Sequence, residues 1–96
     1  MTNLVFTPAA QNDINDIFEF TVENWGFHQA ELYTRKIQSA CEALANMEKR
    51  GKTSDHIRYG YLQFSVGSHS IFFKQSSTET NITRILHQRM DFDRHF

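Results

Sequence analysis

The residues of this chain best suited to chemistry stand near its end. Ile82-Thr83-Arg84-Ile85-Leu86 is an apolar run that passes straight into His87, Gln88 and Arg89, with no glycine or proline between. Such a run reads as a strand, so it would hold cationic and hydrogen-bonding groups on a rigid support at a sheet rim. His87 is the group there that titrates near neutral pH, which makes it the candidate general base. Arg58, Arg84 and Arg89 could steady a pentacovalent phosphorane. Together they outline an RNA-cleaving site in which His87 takes the proton of a 2′-OH. A second reading needs no catalysis: a histidine hydrogen-bonded at a strand end, beside arginines paired with acids. Strand alternation puts Arg84 on the face of Ile82 and Leu86, where a guanidinium needs an acceptor or an open groove. The sequence sets no acid opposite His87, and this favours the second reading.

Other chemistries have little support. Asp91 and Asp93, in a tail that reads as flexible, are too few for a metal site. The single Cys41 excludes an internal disulfide and adds nothing to a zinc site. Ser68 and Ser70 flank His69, but no acid completes a nucleophile triad. The glycines at 26, 51, 60 and 67 are scattered, so there is no phosphate-binding loop, and no cofactor is expected. Tyr59 and Tyr61 could stack on bases, although alternate aromatics in a strand are more often core or cross-strand pairs.

The elements that must position these groups follow from periodicity. Leu4-Val5-Phe6 reads as a short strand. Thr7-Pro8 reads as an N-cap followed by proline at the first helical position. Ile14, Ile17, Phe18, Thr21, Val22 and Trp25 then recur at helical spacing, and Gly26 is expected as a left-handed C-cap. A second helix starts near His28, with Ala30, Tyr33, Thr34, Ile37, Cys41, Leu44 and Met47 on one stripe. Lys49 and Arg50 would occupy its last turn and Gly51 would stop it. The short link between the helices implies an antiparallel hairpin. Phe20 lies off the first stripe and is a candidate partner contact.

After a loop over Lys52 to His56 the period changes to two. Tyr59, Tyr61, Leu62, Phe64 and Val66 mark a strand that opens near Arg58. Gly67-Ser68 is a hairpin turn, Ser70–Gln75 a central strand and Ile82–His87 the last. Connections this short demand antiparallel pairing. The expected fold is α+β in the order β-α-α-β-β-β, a helical hairpin laid on one face of a small twisted antiparallel sheet.

Composition agrees with one domain spanning residues 1–96. Apolar residues make up 40% and aromatics 14%, with nine phenylalanines, enough for one compact core. No apolar run approaches membrane-spanning length and no basic leader precedes an apolar segment, so a reducing cytoplasm is the expected setting. The net charge of −1 conceals an asymmetry. Residues 1–48 carry seven acids against Arg35 and Lys36, whereas residues 49–96 carry eight bases against four acids. The second half suits an anionic partner, unless the two halves interleave in space.

The chain resembles, over nearly its whole length, the ParE branch of the RelE/ParE toxins of bacterial toxin–antitoxin pairs. The resemblance is carried by Phe6-Thr7-Pro8-Ala9-Ala10 with Asp13 and Asp16, by Trp25-Gly26, and by Asp55-His56-Ile57-Arg58 with Gly60-Tyr61. Its most specific pieces are Gly67-Ser68-His69 with Ile71-Phe72-Phe73, and Arg84 through Asp91. It implies a toxin that inhibits DNA gyrase by stoichiometric binding, not by catalysis, and a ParD-like antitoxin that neutralises it in a hetero-oligomeric complex. DNA would then be met only through antitoxin or gyrase. Arg84, His87, Gln88 and Arg89, with Arg58 beside them, would contact the target. Phe18, Phe20, Tyr33 and Ile37 would anchor the antitoxin.

The RelE branch uses the same fold as a ribosome-dependent mRNA endonuclease, typically with several cations on the sheet and a late Tyr or His. No Tyr follows Tyr61 here, but Arg58, Arg84, His87 and Arg89 keep that reading as the alternative. An inactive, antitoxin-binding homologue is a third.

Overall fold

Thr7 sets the first helix in place. Its Oγ1 accepts from the Ala10 backbone N–H at 3.0 Å, and the same hydroxyl donates to the Thr83 carbonyl at 2.8 Å. One residue thus caps helix α1 (Pro8–Trp25) and ties its start to the sheet. The structure, a computed structural model, describes residues 1–96 apart from the side chain of Asp93. The elements in chain order are β1 (Asn3–Phe6), α1, α2 (Phe27–Ala45), β2 (Lys52–Thr53), β3 (Leu62–Val66), β4 (His69–Gln75) and β5 (Glu79–His87). A 3₁₀ turn over Phe92–His95 follows. Among the described residues no helix is long and apolar enough to cross a membrane.

The helices pack as the expected hairpin, burying Ala10, Ile17 and Thr21 of α1 with Ala30, Ile37, Cys41, Leu44 and Ala45 of α2. Gly26 joins them at φ 94° and ψ 165°. The positive φ was expected, but ψ is extended, in a region that only glycine occupies readily.

The end of α2 differs from the sequence expectation. The helix stops at Ala45, and Met47 takes a left-handed φ of 64°. Glu48 N–H returns to the Ala43 carbonyl and Met47 N–H to that of Leu44, a Schellman closure with methionine where glycine is usual. Met47, Lys49 and Arg50 therefore lie beyond the helix. Gly51 serves packing instead: a Cβ there would lie 2.6 Å from the Phe73 ring.

The sheet order is β1-β5-β4-β3-β2. The α+β class stands, with two additions. Lys52–Thr53, expected in a loop, forms a short edge strand on β3. β1 pairs parallel with β5, so the sheet is mixed. The strand expected from Tyr59 begins at Leu62, and Tyr59 is 87% exposed in the preceding loop. The last strand starts earlier than periodicity suggested, at Glu79, where Ser76 Oγ accepts the Thr78 and Glu79 N–H groups.

A bulge at Thr83 decides which side chains face the helices. Phe73 pairs with Ile82 but Phe72 pairs with Arg84, leaving Thr83 as the extra residue. Ile82 and Ile85 consequently both join the core with Ile71 and Phe73. Arg84 keeps the face of Leu86, as alternation implied, but not that of Ile82. The opposite face is not open. Phe92 and Phe96 meet the fully buried Phe72 edge-on at 4.8 and 5.0 Å, and Phe96 also meets Tyr61 at 4.9 Å. The tail that read as flexible is a cover for the second face of the sheet, supplying the apolar surface that Phe72 needs.

Candidate functional site

At the β3–β4 turn the sheet, α1 and the start of α2 enclose a groove of about 460 Å³. It is lined by Phe20, Trp25, Gln29, Tyr33, His69 and His87, among others. A second hollow of about 350 Å³ adjoins it along β5, sharing Phe20, Thr21, His69 and His87 and adding Asp13, Asp16 and Met90. The cross-strand pairs Val66↔His69 and His69↔His87 place both imidazoles on the helix-facing side at this end.

His69 and His87 meet edge to face, with ring centres 5.2 Å apart. Tyr33 Oη lies 2.6 Å from His69 Nδ1 and accepts the Ser68 N–H at 3.1 Å. The one phenolic proton could go to the Val66 carbonyl at 3.5 Å or to His69 Nδ1 at 2.6 Å; the much shorter contact assigns it to Nδ1, which puts the His69 proton on Nε2. The ring is thereby held neutral, and burial with the neighbouring His87 pushes its pKa down to about 4. Gly67, at φ 55°, lets the turn approach: a Cβ there would lie 2.8 Å from the Tyr33 ring.

Removing the Tyr33 hydroxyl would leave the Ser68 N–H and His69 Nδ1 without their partner. Tyr33→Phe is therefore expected to lower stability by about 1–2 kcal/mol in denaturant unfolding. An unchanged midpoint would show that the hydroxyl is no lock.

His87 is engaged as well. Its Nδ1 accepts the Arg89 backbone N–H at 3.1 Å, which leaves the proton of the neutral ring on Nε2. The lone pair that a general base would use is already occupied. Gln88 and Arg89 are exposed just past the strand, and Gln88 N–H is fixed to the Ser68 carbonyl at 2.9 Å.

Arg84 does not open into a groove. Its Nε and Nη2 donate to the two carboxylate oxygens of Asp13 at 2.8 and 2.9 Å, and its Nη1 donates to the His95 carbonyl. Asp13 Oδ2 also accepts the Ile85 backbone N–H at 2.9 Å. The paired carboxylate raises the Arg84 pKa further above its usual value. β1 pairs with β5 only as far as Ile82, so Asp13 satisfies the strand edge where the neighbouring strand has ended.

Arg58 is not beside this cluster. It lies in the loop before Leu62, and Leu62 pairs with Phe73, towards the end of β4 opposite His69. The structure therefore does not bring Arg58, Arg84, His87 and Arg89 together around one reacting centre. Among the described residues no three His, Cys, Asp or Glu side chains could hold a metal ion, and Asp93 lies outside that description.

The four expected anchors separate by burial. Ile37 has no exposed surface and is a core residue, which removes it from any contact surface. Tyr33 is half-buried by its lock on the turn. Phe18 is half-buried, packed edge-on against Phe27 at 5.7 Å. Phe20 is 63% exposed, and Trp25 and Phe27 extend the apolar surface around the hairpin tip at 72% and 61%. Sequence reasoning missed Trp25 and Phe27 as surface groups, because each sits where a helix end could equally have been covered. It also missed the partnership of Tyr33, His69 and His87. The distance of the His from one another in sequence gave no signal; only the hairpin register could.

The family model described as ParE toxin of type II toxin-antitoxin system, parDE, matches residues 4–92. Toxin ParE1 of Mycobacterium tuberculosis is 41% identical over 91 residues, covering 94% of this chain and 93% of that protein. Toxin ParE1 of Caulobacter vibrioides is 33% identical over 86 residues, covering 90% and 88%. The fold is shared with a solved structure described as the chromosomal ParDE TA system from P. aeruginosa. That chain aligns with a TM-score of 0.79 at 22% identity, over 91% of this chain and 96% of its own.

Proposed function

Since the chain belongs to the ParE toxin family of type II toxin–antitoxin systems, we propose that it inhibits DNA gyrase by stoichiometric binding and is neutralised by a ParD-like antitoxin. Its place would be the bacterial cytoplasm, where gyrase works. The observation that carries binding over catalysis is the engagement of the strand-end groups. His87 offers no free lone pair, Arg84 is closed on Asp13, and Arg58 stands at the other end of the sheet. An mRNA-cleaving site would need a free base and phosphate clamps around one centre.

In this reading His87, Gln88 and Arg89 contact the target from a rigid strand end, and Arg84 holds that end in place. Phe20, with Phe18 behind it and Trp25 and Phe27 beside it, offers apolar surface to the antitoxin, and the Tyr33 edge borders the groove. Large aromatic side chains dominate protein contacts of this kind.

The test is to incubate the purified protein with gyrase, supercoiled plasmid and ATP, then trap with detergent and protease. Linear DNA should accumulate, and His87→Ala should reduce potency by about tenfold or less, as loss of one contact does. A nuclease that used His87 as base would instead lose ~10²–10⁴-fold in rate. No linear DNA and unimpaired supercoiling, with folded protein, would overturn gyrase as the target. Cleavage of mRNA on translating ribosomes would then favour the RelE-like alternative.

A further inference from the structure

The end of the sheet remote from the histidine pair carries a second surface that the proposed function does not use. Ser54 is fully buried and nucleates a tight loop: its carbonyl accepts the Ile57 and Arg58 N–H groups, and its N–H donates to the Tyr61 carbonyl. Asp55 Oδ1 accepts the Gly60 N–H at 3.0 Å, and Gly60 turns the chain at φ 84°. The loop is therefore built, and it holds Arg58 and Tyr59 outward on adjacent positions. Tyr59 is 87% exposed, so its ring is open to solvent.

Exposed Arg58 precedes that ring in sequence, and further cations lie on the edge strand and the outer face of the sheet. Lys52 pairs with Gln63, which pairs with Phe72, so Lys52 shares the outer face of the sheet with Lys74. Lys74 Nζ lies 4.9 Å over the Tyr61 ring. Lys49 and Arg50 precede the edge strand, separated from it by Gly51. From Glu48 to Tyr61 the chain holds four cations against Glu48 and Asp55, and Asp55 is turned into the loop. An exposed aromatic ring on a surface that also carries guanidinium and ammonium groups can stack an unpaired base while the cations neutralise its phosphates.

We propose that the loop Ser54–Tyr61, with Lys52 and Lys74, binds single-stranded nucleic acid, stacking one base on Tyr59 and holding the adjoining phosphates with Arg58 and Lys52. This surface is separate from the strand end assigned to gyrase, so its test is run without gyrase.

Fluorescence anisotropy of labelled single-stranded DNA and RNA oligonucleotides of one sequence, titrated with the purified chain at several salt concentrations, reads it directly. Affinity should fall with salt, and Arg58→Ala should lower the log–log slope by about 0.7, as loss of one phosphate contact to a single strand does. Tyr59→Ala should weaken binding roughly five- to hundredfold. Both positions are exposed, and circular dichroism would verify folding. Arg35→Ala, on an exposed position of α2, should bind like the unmodified chain. Tighter binding of one oligonucleotide would name the source as DNA or RNA. Absence of binding at low salt, retention of full affinity by Tyr59→Ala and Arg58→Ala, or an equal preference for a duplex would overturn the proposal.

Discussion

Asp13→Ala is expected to destabilise the fold by about 3 kcal/mol and to lower the thermal midpoint by ~10–20 °C. Asp13 is the acceptor for three donors at once: two from the Arg84 guanidinium and one from the Ile85 backbone. Its side chain is 11% exposed and that of Arg84 23%. Removing the carboxylate leaves a mostly buried guanidinium with only the His95 carbonyl, and leaves a strand-edge N–H without its partner. The loss should thus exceed that of a surface ion pair, which is typically below ~1 kcal/mol.

Asp13→Asn keeps an acceptor for Ile85 while removing the charge, and should fall between, at about 1–2 kcal/mol. Adding Arg84→Met to Asp13→Ala should cost little more, since the charge left unpaired is then gone. Strictly additive losses in urea unfolding would mean that the two side chains do not act as a unit. The same result would reopen Arg84 as a group free to meet a target.

Acidification is the second large effect. The His69 ring is neutral in the folded chain until pH approaches about 4, whereas its ordinary value is 6.5. Between those values the unfolded chain holds the extra proton, so stability falls as pH falls. The full gap corresponds to at most ~3 kcal/mol, and a ring partly open to solvent should realise about half of it. The groups that face the ring explain the sign. Burial under the hairpin and the nearby His87 oppose a charge, Tyr33 donates to the nitrogen that would have to be protonated, and Asp13 acts the other way. Unfolding midpoints measured from pH 7 to pH 4 should decline, and His69→Gln should flatten the decline. If both proteins lose stability in parallel, carboxylates elsewhere cause the acid sensitivity and the imidazole pair does not.

Local signals explain how much of the architecture was legible. The Thr7-Pro8 start of α1, the stripe of Ile17 and Thr21, and the Gly67-Ser68 turn depend on residues close in sequence, so short-range patterns reported them correctly. The end of α2 did not. The apolar stripe ran on to Met47, and the chain turned there with methionine in a conformation usually given to glycine. Gly51, which looked like the stop, instead leaves room for the Phe73 ring of a distant strand. The Thr83 bulge likewise has no local mark, yet it moves Ile85 to the core side and Arg84 to the other.

The candidate site shows the same division. By itself the sequence determined the residue types available, the α+β class and the apolar faces, because helix and strand periods are set by backbone geometry. It also supplied the resemblance to ParE toxins through short, ordered motifs. Only the tertiary structure decided which of those residues meet. Asp13 and Arg84 are 71 positions apart, and Tyr33 and His69 are 36 apart. Their pairing depends on strand order, register and one bulge. These are fixed by packing of the whole chain, and no local pattern encodes them.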